Sequence, residues 1–335
     1  MIPAGGLPTQ DTNKVAIKGA STVLRCICSG YENETVSRKI DANCCAILAS
    51  VSITIRQASV ADAAVAGRIC YEAFYKINSE HNFPPDIPSP EIATGFCNIL
   101  FGHPGFYCVV AEENRKIVGS NCLDERSSIS GIGPITVDPG VQNRGTGRAL
   151  MQAVMDRVKE KNAPGVRLVQ AAFHNRSLSL YTNLGFEVRE PLSVVQGKTV
   201  VREIPGCKVR PAAMDDLDAC NQVCLAVHGH HRGGEVADGI HQGLAYVVER
   251  AGRITGYTAT MGFFGHSVGL MNEDVMALIA GSGDFQGPGI FIPSRNTELF
   301  RWALAQGLRV TQPMNLMSMG LYNEPKGAFL PSVTF

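Results

Sequence analysis

The chain has 335 residues, of which 45% are hydrophobic and 18% are charged, so it can bury a large core without disulfides or metals. Thirty basic residues balance thirty acidic ones, and no basic run stands out, which argues against nucleic acid or an anionic membrane surface as a partner. The length predicts two domains.

The 11 cysteines lie mostly in apolar stretches such as 106–110, and we interpret them as small buried side chains of a cytoplasmic protein. Residues 1–52 keep no period and are predicted to be an irregular extension. The spacing of Cys26, Cys28, Cys44 and Cys45 does not match common zinc sites, so we expect no metal there.

From residue 53 the pattern becomes regular, with an alternating strand at 53–56 and a helical period from 58 to 74. Three segments then recur in the same order, which predicts an internal duplication. The pairs are 55–62 with 209–216, 108–119 with 246–256, and 184–191 with 306–313. We therefore expect a first domain over 53–196, a linker over 197–207 and a second domain over 208–335.

The first copy contains an insertion that the second lacks. A short apolar strand at 135–137 is followed by a turn with Gly145 and Gly147, and then by an apolar helical pattern from Leu150. Such a turn allows backbone N–H groups to converge on an anion at the positive end of a helix. The alternative is that the glycines serve packing alone.

The motif Gln142-x-x-Gly145-x-Gly147 after Val137-Asp138 resembles the acetyl-CoA loop of the GNAT acetyltransferase superfamily. Residues 166–172 resemble the fifth strand of that family, and 175–186 its next helix and closing strand. The resemblance covers 53–196 and implies an α/β fold. We therefore expect two tandem GNAT-type domains, each a mixed, largely antiparallel sheet flanked by helices.

The resemblance also implies a site for acetyl-CoA as co-substrate, without a metal. In it, the strand before the loop faces the pantetheine arm and the loop wraps the pyrophosphate. The residues that it assigns to acetyl-CoA are Ile135, Thr136, Val137, Gln142, Asn143, Arg144, Gly145, Thr146, Gly147, Arg148, Asn175 and Tyr181.

Acetyl transfer needs a proton donor for the departing thiolate and a base for the amine. Tyr181 matches the tyrosine of the family motif and is the predicted donor; the alternative is a core tyrosine. The glutamate that many relatives use as base is replaced here by Gly133 and Pro134. Asp124 and Glu125, at the end of the preceding strand, are the nearest candidates, unless they form a solvated turn.

The acceptor site is predicted at the connection between the first two helices, residues 75–91, whose aromatics and prolines favour an apolar or flat acceptor. A proline-rich surface connection is the alternative. In the second copy His228, His230 and His231 lie close together, and a loop or substrate-binding role is favoured over a metal because helical ligand spacing is missing.

The second copy has no glycine-rich anion loop, and Ala303 falls where the first copy has Tyr181. We therefore predict that it binds no acetyl-CoA and instead walls the acceptor cleft, within a monomer that forms an internal pseudo-dimer or within a homodimer. Its last segment, 322–335, is expected to lie over the surface.

The predicted activity is direct transfer of an acetyl group from acetyl-CoA to a primary amine of a small molecule or peptide. Two alternatives stay open at this point. One is a sensor that binds acyl-CoA without catalysis, and the other is an acyltransferase with a different donor or an oxygen acceptor.

Overall fold

The computed structural model describes residues 53–334. The predicted extension over 1–52, including its four cysteines, lies outside the described residues. None of the helices between residues 53 and 334 combines the length and the apolarity that a membrane span requires.

The first half, residues 53–196, confirms the predicted alternation of strands and helices. Its elements are β1 (Ile53–Gln57), α1 (Ala63–Glu80), α2 (Pro90–Gly102), β2 (Phe106–Glu113), β3 (Lys116–Asp124), β4 (Ile129–Ile132), β5 (Thr136–Val137), α3 (Thr146–Glu160), β6 (Gly165–Ala171), α4 (Asn175–Asn183) and β7 (Glu187–Gln196). Residues 197–206 contain neither strand nor helix, at the position of the predicted linker.

The second half, from Cys207 onward, repeats the same order of elements without a counterpart of β5 and adds one strand at its end. Its elements are β8 (Cys207–Pro211), α5 (Leu217–His228), α6 (Gly233–His241), β9 (Tyr246–Arg250), β10 (Arg253–Gly262), β11 (Gly265–Gly269), α7 (Asn272–Gly281), β12 (Ile290–Pro293), α8 (Thr297–Ala305), β13 (Arg309–Gly320) and β14 (Ala328–Leu330).

The repeat extends to individual side chains. On β1, Arg56 pairs with Asp62 at the start of the first helix at 2.8 Å and with Glu112 on β2 at 2.8 Å. On β8, Arg210 pairs with Asp216 in the equivalent place at 2.7 Å. The same charged contact therefore ties the first strand to the first helix in both halves.

The two halves exchange strands and share one core. Strand β13 of the second half inserts between β6 and β7 of the first half, and β12 pairs with the far edge of β7 in the same nine-stranded sheet. Leu192 and Val194 of the first half pack in one apolar cluster with Phe291 and Met314 of the second. The second half thus helps to position β6, which forms one wall of the cleft described below.

The expectation that 322–335 lies over the surface is wrong for its last part. Ala328 and Leu330 of β14 are at most 2% exposed, and the strand pairs antiparallel with β11. These two side chains belong to the same apolar cluster as Ile290 and Ile292 of β12, so β14 fills the space between β11 and β12. Pairing along β11 satisfies backbone groups that would otherwise be buried without partners.

Candidate active site

The cleft of the first half opens where two parallel strands separate. Strand β4 runs beside β6 from Ile129 opposite Gly165 to Ile132 opposite Leu168. The next strand, β5, pairs only with β3, so the backbone diverges from β6 beyond this point. The gap leads into a cleft of about 430 Å³ whose lining comes from both halves.

The glycine-rich turn brings the open end of a helix to this cleft. Asn143 and Gly145 both have positive φ, 68° and 88°, which turns the chain sharply before α3 begins at Thr146. No side chain caps this helix, and its first turn contains no acidic residue. Its first N–H groups therefore lack intrahelical partners and present the positive end of the helix dipole.

Gly147 faces the cleft directly. A β-carbon at this position would lie 3.6 Å from a methyl group of Leu180 and 3.9 Å from one of Val137, and both of these residues line the cleft. A larger or charged side chain here would project into the space in front of the helix terminus. The glycine therefore keeps the approach to the N–H groups open.

Most residues that the sequence assigned to acetyl-CoA meet in this cleft. Those that line it are Ile135, Thr136, Val137, Gln142, Asn143, Gly145, Thr146, Gly147, Arg148 and Tyr181. Two do not line it. Arg144 is exposed and faces Glu113 at 3.4 Å, and Asn175 is exposed at the start of α4.

Tyr181 reaches the cleft from the buried side of α4. Its side chain is 7% exposed, and its ring centre lies 6.2 Å from that of Phe186. Burial raises the pKa of Tyr181 well above its usual range, so the phenol is protonated at neutral pH. Its hydroxyl has no hydrogen-bond partner within residues 53–334 and is free to donate to a bound molecule.

The two acids predicted as base candidates are not brought to this cleft. The carboxylate of Asp124 accepts a hydrogen bond from Arg126 at 2.6 Å, and that of Glu125 accepts one from Arg157 at 2.7 Å. Glu125 also lies 3.7 Å from the ammonium of Lys161. Neither acid is among the residues that line the cleft.

The second half closes the cleft with apolar side chains. Phe264 packs against Phe96 of α2, with ring centres 5.1 Å apart, and both line the cleft. Met314 and Val333 also line it, and the amide of Val333 donates to the carbonyl of Phe263 at 2.8 Å. The predicted role of the second copy as a wall of the cleft therefore agrees with the geometry.

The connection predicted to shape the acceptor site is shorter than 75–91. Helix α1 continues to Glu80 and α2 begins at Pro90, so the connection is residues 81–89. The remaining connection packs against the β6–α4 turn, with Phe83 4.3 Å from Phe173 between ring centres.

Asp86 is a cleft residue that the sequence analysis missed. It is the only acid between the helices α1 and α2 and it lines the cleft together with Ile87. The Nε2 atom of Gln312, on β13, donates to its Oδ1 atom at 2.5 Å. The acid could have been found as the one charge in a proline-rich connection, but its partner comes from the other half of the chain.

The three histidines clustered at 228–231 lie away from this cleft. His228 and His230 are buried with ring centres 5.8 Å apart, and burial lowers the pKa of His230 to about 3. The carbonyl of His231 accepts a hydrogen bond from Ser127 of the first half at 2.7 Å. Among the residues that the structure describes, no group of His, Cys, Asp or Glu side chains is arranged to hold a metal ion.

Comparisons with known proteins agree with this geometry. A sequence model of the acetyltransferase (GNAT) family matches residues 71–186. A Pyrococcus horikoshii protein assigned as an acetyltransferase superposes with a TM-score of 0.65 at 16% identity, over 82% of this chain and 94% of that one. A GCN5-related N-acetyltransferase from Sphaerobacter thermophilus superposes with a TM-score of 0.53 at 14% identity, over 81% of this chain and 96% of that one.

No curated protein matched the sequence. The two superpositions cover nearly the whole length of the solved structures and extend over both halves of this chain. The family match, in contrast, lies in the half that contains the glycine-rich turn. Residues 71–186 therefore match the acetyltransferase (GNAT) family, and the chain over both halves has the fold of the two solved acetyltransferase structures.

Proposed function

We propose that this protein transfers the acetyl group of acetyl-CoA to a primary amine, in the cleft of the first half. The observation that carries the proposal is the meeting of an uncapped helix terminus, a glycine turn and Tyr181 along one cleft. An anionic pyrophosphate fits the N–H groups at the start of α3, with Arg148 beside them.

The remaining part of acetyl-CoA fits between the separated strands. Residues of β5 expose backbone groups that no neighbouring strand occupies on the side of β6, which suits the amides of a pantetheine arm. The thioester end then lies in the part of the cleft that Tyr181 and the second half enclose. An enclosed site excludes water, so the acetyl group is transferred to the acceptor and not hydrolysed.

Tyr181 supplies the proton that the leaving group needs. The amine nitrogen forms a bond to the carbonyl carbon, and the carbon–sulfur bond then breaks and releases a thiolate. The phenol gives its proton to this sulfur, and the nitrogen gives up a proton that restores the phenol. A raised pKa suits this role because the phenol stays protonated until the thiolate forms.

The proposal is tested by following release of free CoA thiol from acetyl-CoA with a panel of amines. The panel contains 2-phenylethylamine, n-hexylamine, spermidine, an aminoglycoside and a peptide with a free N-terminus. Thiol release that depends on the amine, with the N-acetyl product detected by mass spectrometry, supports the proposal. Tight binding of acetyl-CoA in calorimetry without thiol release from any amine would contradict it and indicate a sensor.

A further inference from the structure

Asp86 differs from the buried acids of the molecule because it has no cationic partner within residues 53–334. Each of the buried acids pairs with an arginine: Asp62 with Arg56, Asp124 with Arg126, Glu190 with Arg295, Glu235 with Arg232, and Asp274 with Arg250. A carboxylate recessed from water without a counter-ion is costly to ionise. The fold therefore maintains a place for a positive charge that its own residues do not fill.

Two further oxygen acceptors lie next to this carboxylate. Asn78 and Gln312 are 1% and 2% exposed; Gln312 donates a hydrogen bond to Asp86, and Asn78 donates one to the carbonyl of Pro84 at 3.1 Å and lies close enough to Asp86 to affect its pKa. Their carbonyl oxygens, Oδ1 and Oε1, are buried and have no hydrogen-bond partner among the described residues. The cluster thus has more acceptors than donors, and an ammonium group, with three N–H bonds, has the complementary composition.

Many side chains of the cleft that Asp86 lines are apolar. The side chains that line this part of the molecule with Asp86 are Phe74, Ile87 and Phe96 of the first half and Phe264 and Met314 of the second. A polycation would leave most of its charges without partners against such walls. An amine attached to an apolar or flat body would bury that body and place its single charge at the carboxylate.

We propose that Asp86, held in place by Gln312 of the second half, binds the ammonium group of the acceptor and takes its proton, and that this acceptor is a primary amine on an apolar or flat body. The inference rests on the proposed acetyl transfer and specifies which residue prepares the nucleophile. It also gives the second half a direct part in the reaction, through one hydrogen bond.

The protons balance with this assignment. The ammonium loses one proton to the carboxylate of Asp86, which leaves a neutral amine with a lone pair for attack on the thioester. After the carbon–nitrogen bond forms, the second proton leaves the nitrogen by way of Tyr181 to the CoA sulfur. Asp86 then releases its proton to water, and the products are the N-acetylated amine, the CoA thiol and one proton.

The electrostatics of the cluster agree with a base. Burial raises the pKa of Asp86, while the hydrogen bond from Gln312 and the nearby side-chain amide of Asn78 act in the opposite direction. A raised pKa brings a carboxyl closer to neutral pH, where it exchanges protons more readily. The other titratable or charged groups near it or along the cleft are Cys70, Lys76, Glu80, Arg148, His174, Arg176 and Tyr181. Lys76 and Glu80 face one another at 4.0 Å, and burial lowers the pKa of His174 to about 4.

The first test compares Asp86→Asn with the parent. Asparagine keeps an oxygen for the hydrogen bond from Gln312 and removes only the charge. With 2-phenylethylamine at pH 7 we expect kcat/KM to fall by about 100-fold to 10,000-fold while the affinity for acetyl-CoA is unchanged. The kcat/KM of the variant should rise about tenfold per pH unit up to the pKa of the free amine, near 10, because the fraction of neutral amine, which needs no base, rises in the same way.

A binding measurement separates recognition from catalysis. In calorimetry with CoA present, Asp86→Asn should weaken the binding of 2-phenylethylamine by about tenfold or more. The binding of 2-phenylethanol, which has no charge, should be unaffected. Glu72→Gln on the exposed face of α1 is the matched control and should change neither value. In Gln312→Met, the acidic limb of the pH profile should move to higher pH, because the lost hydrogen bond had lowered the pKa of Asp86.

The outcomes distinguish this inference from the function it rests on. If the parent turns over and the kcat/KM of Asp86→Asn stays within about threefold of the parent, only the role of Asp86 is overturned, and the proposed function stands. The same holds if spermidine is preferred to 2-phenylethylamine and n-hexylamine. A parent that binds acetyl-CoA and acetylates no amine overturns both the proposed function and this inference.

Discussion

The two halves of the molecule differ most at the start of one helix. Helix α3 follows Gly145 and has no side-chain cap, whereas the equivalent α7 begins with Glu273 and Asp274 in its first turn. The Asp274 carboxylate accepts hydrogen bonds from the amide of Met271 at 2.9 Å and from Thr255 at 2.6 Å. An internal carboxylate thus satisfies the helix terminus that stays open toward the cleft in the first half.

The halves also differ in what lies between the two strands that follow. In the first half the space between β5 and β6 forms the cleft, while in the second half β14 fills the space between β11 and β12. The same topology therefore has two uses. One copy keeps its helix terminus and strand edges for a bound molecule, and the other satisfies them with its own residues and serves as a wall.

The largest expected effect comes from making α3 resemble α7. Gly147→Asp introduces a negative charge at the second position of the helix, where α7 has Glu273. It should abolish acetyl-CoA binding measured by calorimetry, because the carboxylate occupies the anion site and repels the pyrophosphate. Gly95→Asp is the control, since a β-carbon at Gly95 on α2 meets open space. Binding by Gly147→Asp with the affinity of the parent would refute the site.

The same titration counts the sites. We expect one acetyl-CoA per chain, because α7 is capped by Asp274 and β14 fills the equivalent space. Two equivalent sites per chain in the parent would show that the second half is not a degenerate copy.

The next effect is on turnover alone. Tyr181→Phe keeps the ring in its apolar surroundings and removes the hydroxyl. The position of the second half that corresponds to Tyr181 is Ala303, which also has no hydroxyl. We expect a loss of about 100-fold to 10,000-fold in kcat with little change in acetyl-CoA affinity, since general-acid help acts on the transition state. A kcat within about threefold of the parent would return Tyr181 to the role of a packing residue.

A smaller effect should follow from opening the cap of α7. Asp274→Ala leaves the amide of Met271 and the hydroxyl of Thr255 without their acceptor, which should lower the free energy of unfolding in urea by about 1–3 kcal/mol. Glu273→Ala, in the same turn, makes neither of these bonds and should cost only a few tenths of a kcal/mol. Equal losses in the two variants would contradict the capping role.

The smallest effects test the symmetry of the halves. Arg56→Ala and Arg210→Ala each remove two partly exposed ion pairs and should destabilise the chain by about 1 kcal/mol or less. Arg56 holds the pKa of Asp62 below its usual range, so this stabilisation is present above about pH 4 and disappears as the pH falls. Urea midpoints at pH 7 and pH 3 should therefore differ less in each variant than in the parent.

The sequence by itself identified the features that are local in the chain. The glycine turn, the strand before it and the helix after it lie within residues 135–160, so their spacing alone indicated an anion site. The duplication was equally visible in the sequence. Arg56 and Asp62 are only six positions apart, and Arg210 and Asp216 repeat the same spacing in the second half. Tyr181 was found through a motif on a single helix.

Only the tertiary structure decided which distant residues meet. Asp124 and Glu125 were candidates because they are near in sequence, yet the ends of their side chains are held by Arg126 and Arg157 outside the cleft. Asp86 lies in the cleft, and its hydrogen-bond donor Gln312 comes from β13 of the second half. Strand exchange leaves no periodic signal in the sequence, because it depends on which open edge of a sheet a strand joins. The strand joins the edge at which the whole shared core is best buried.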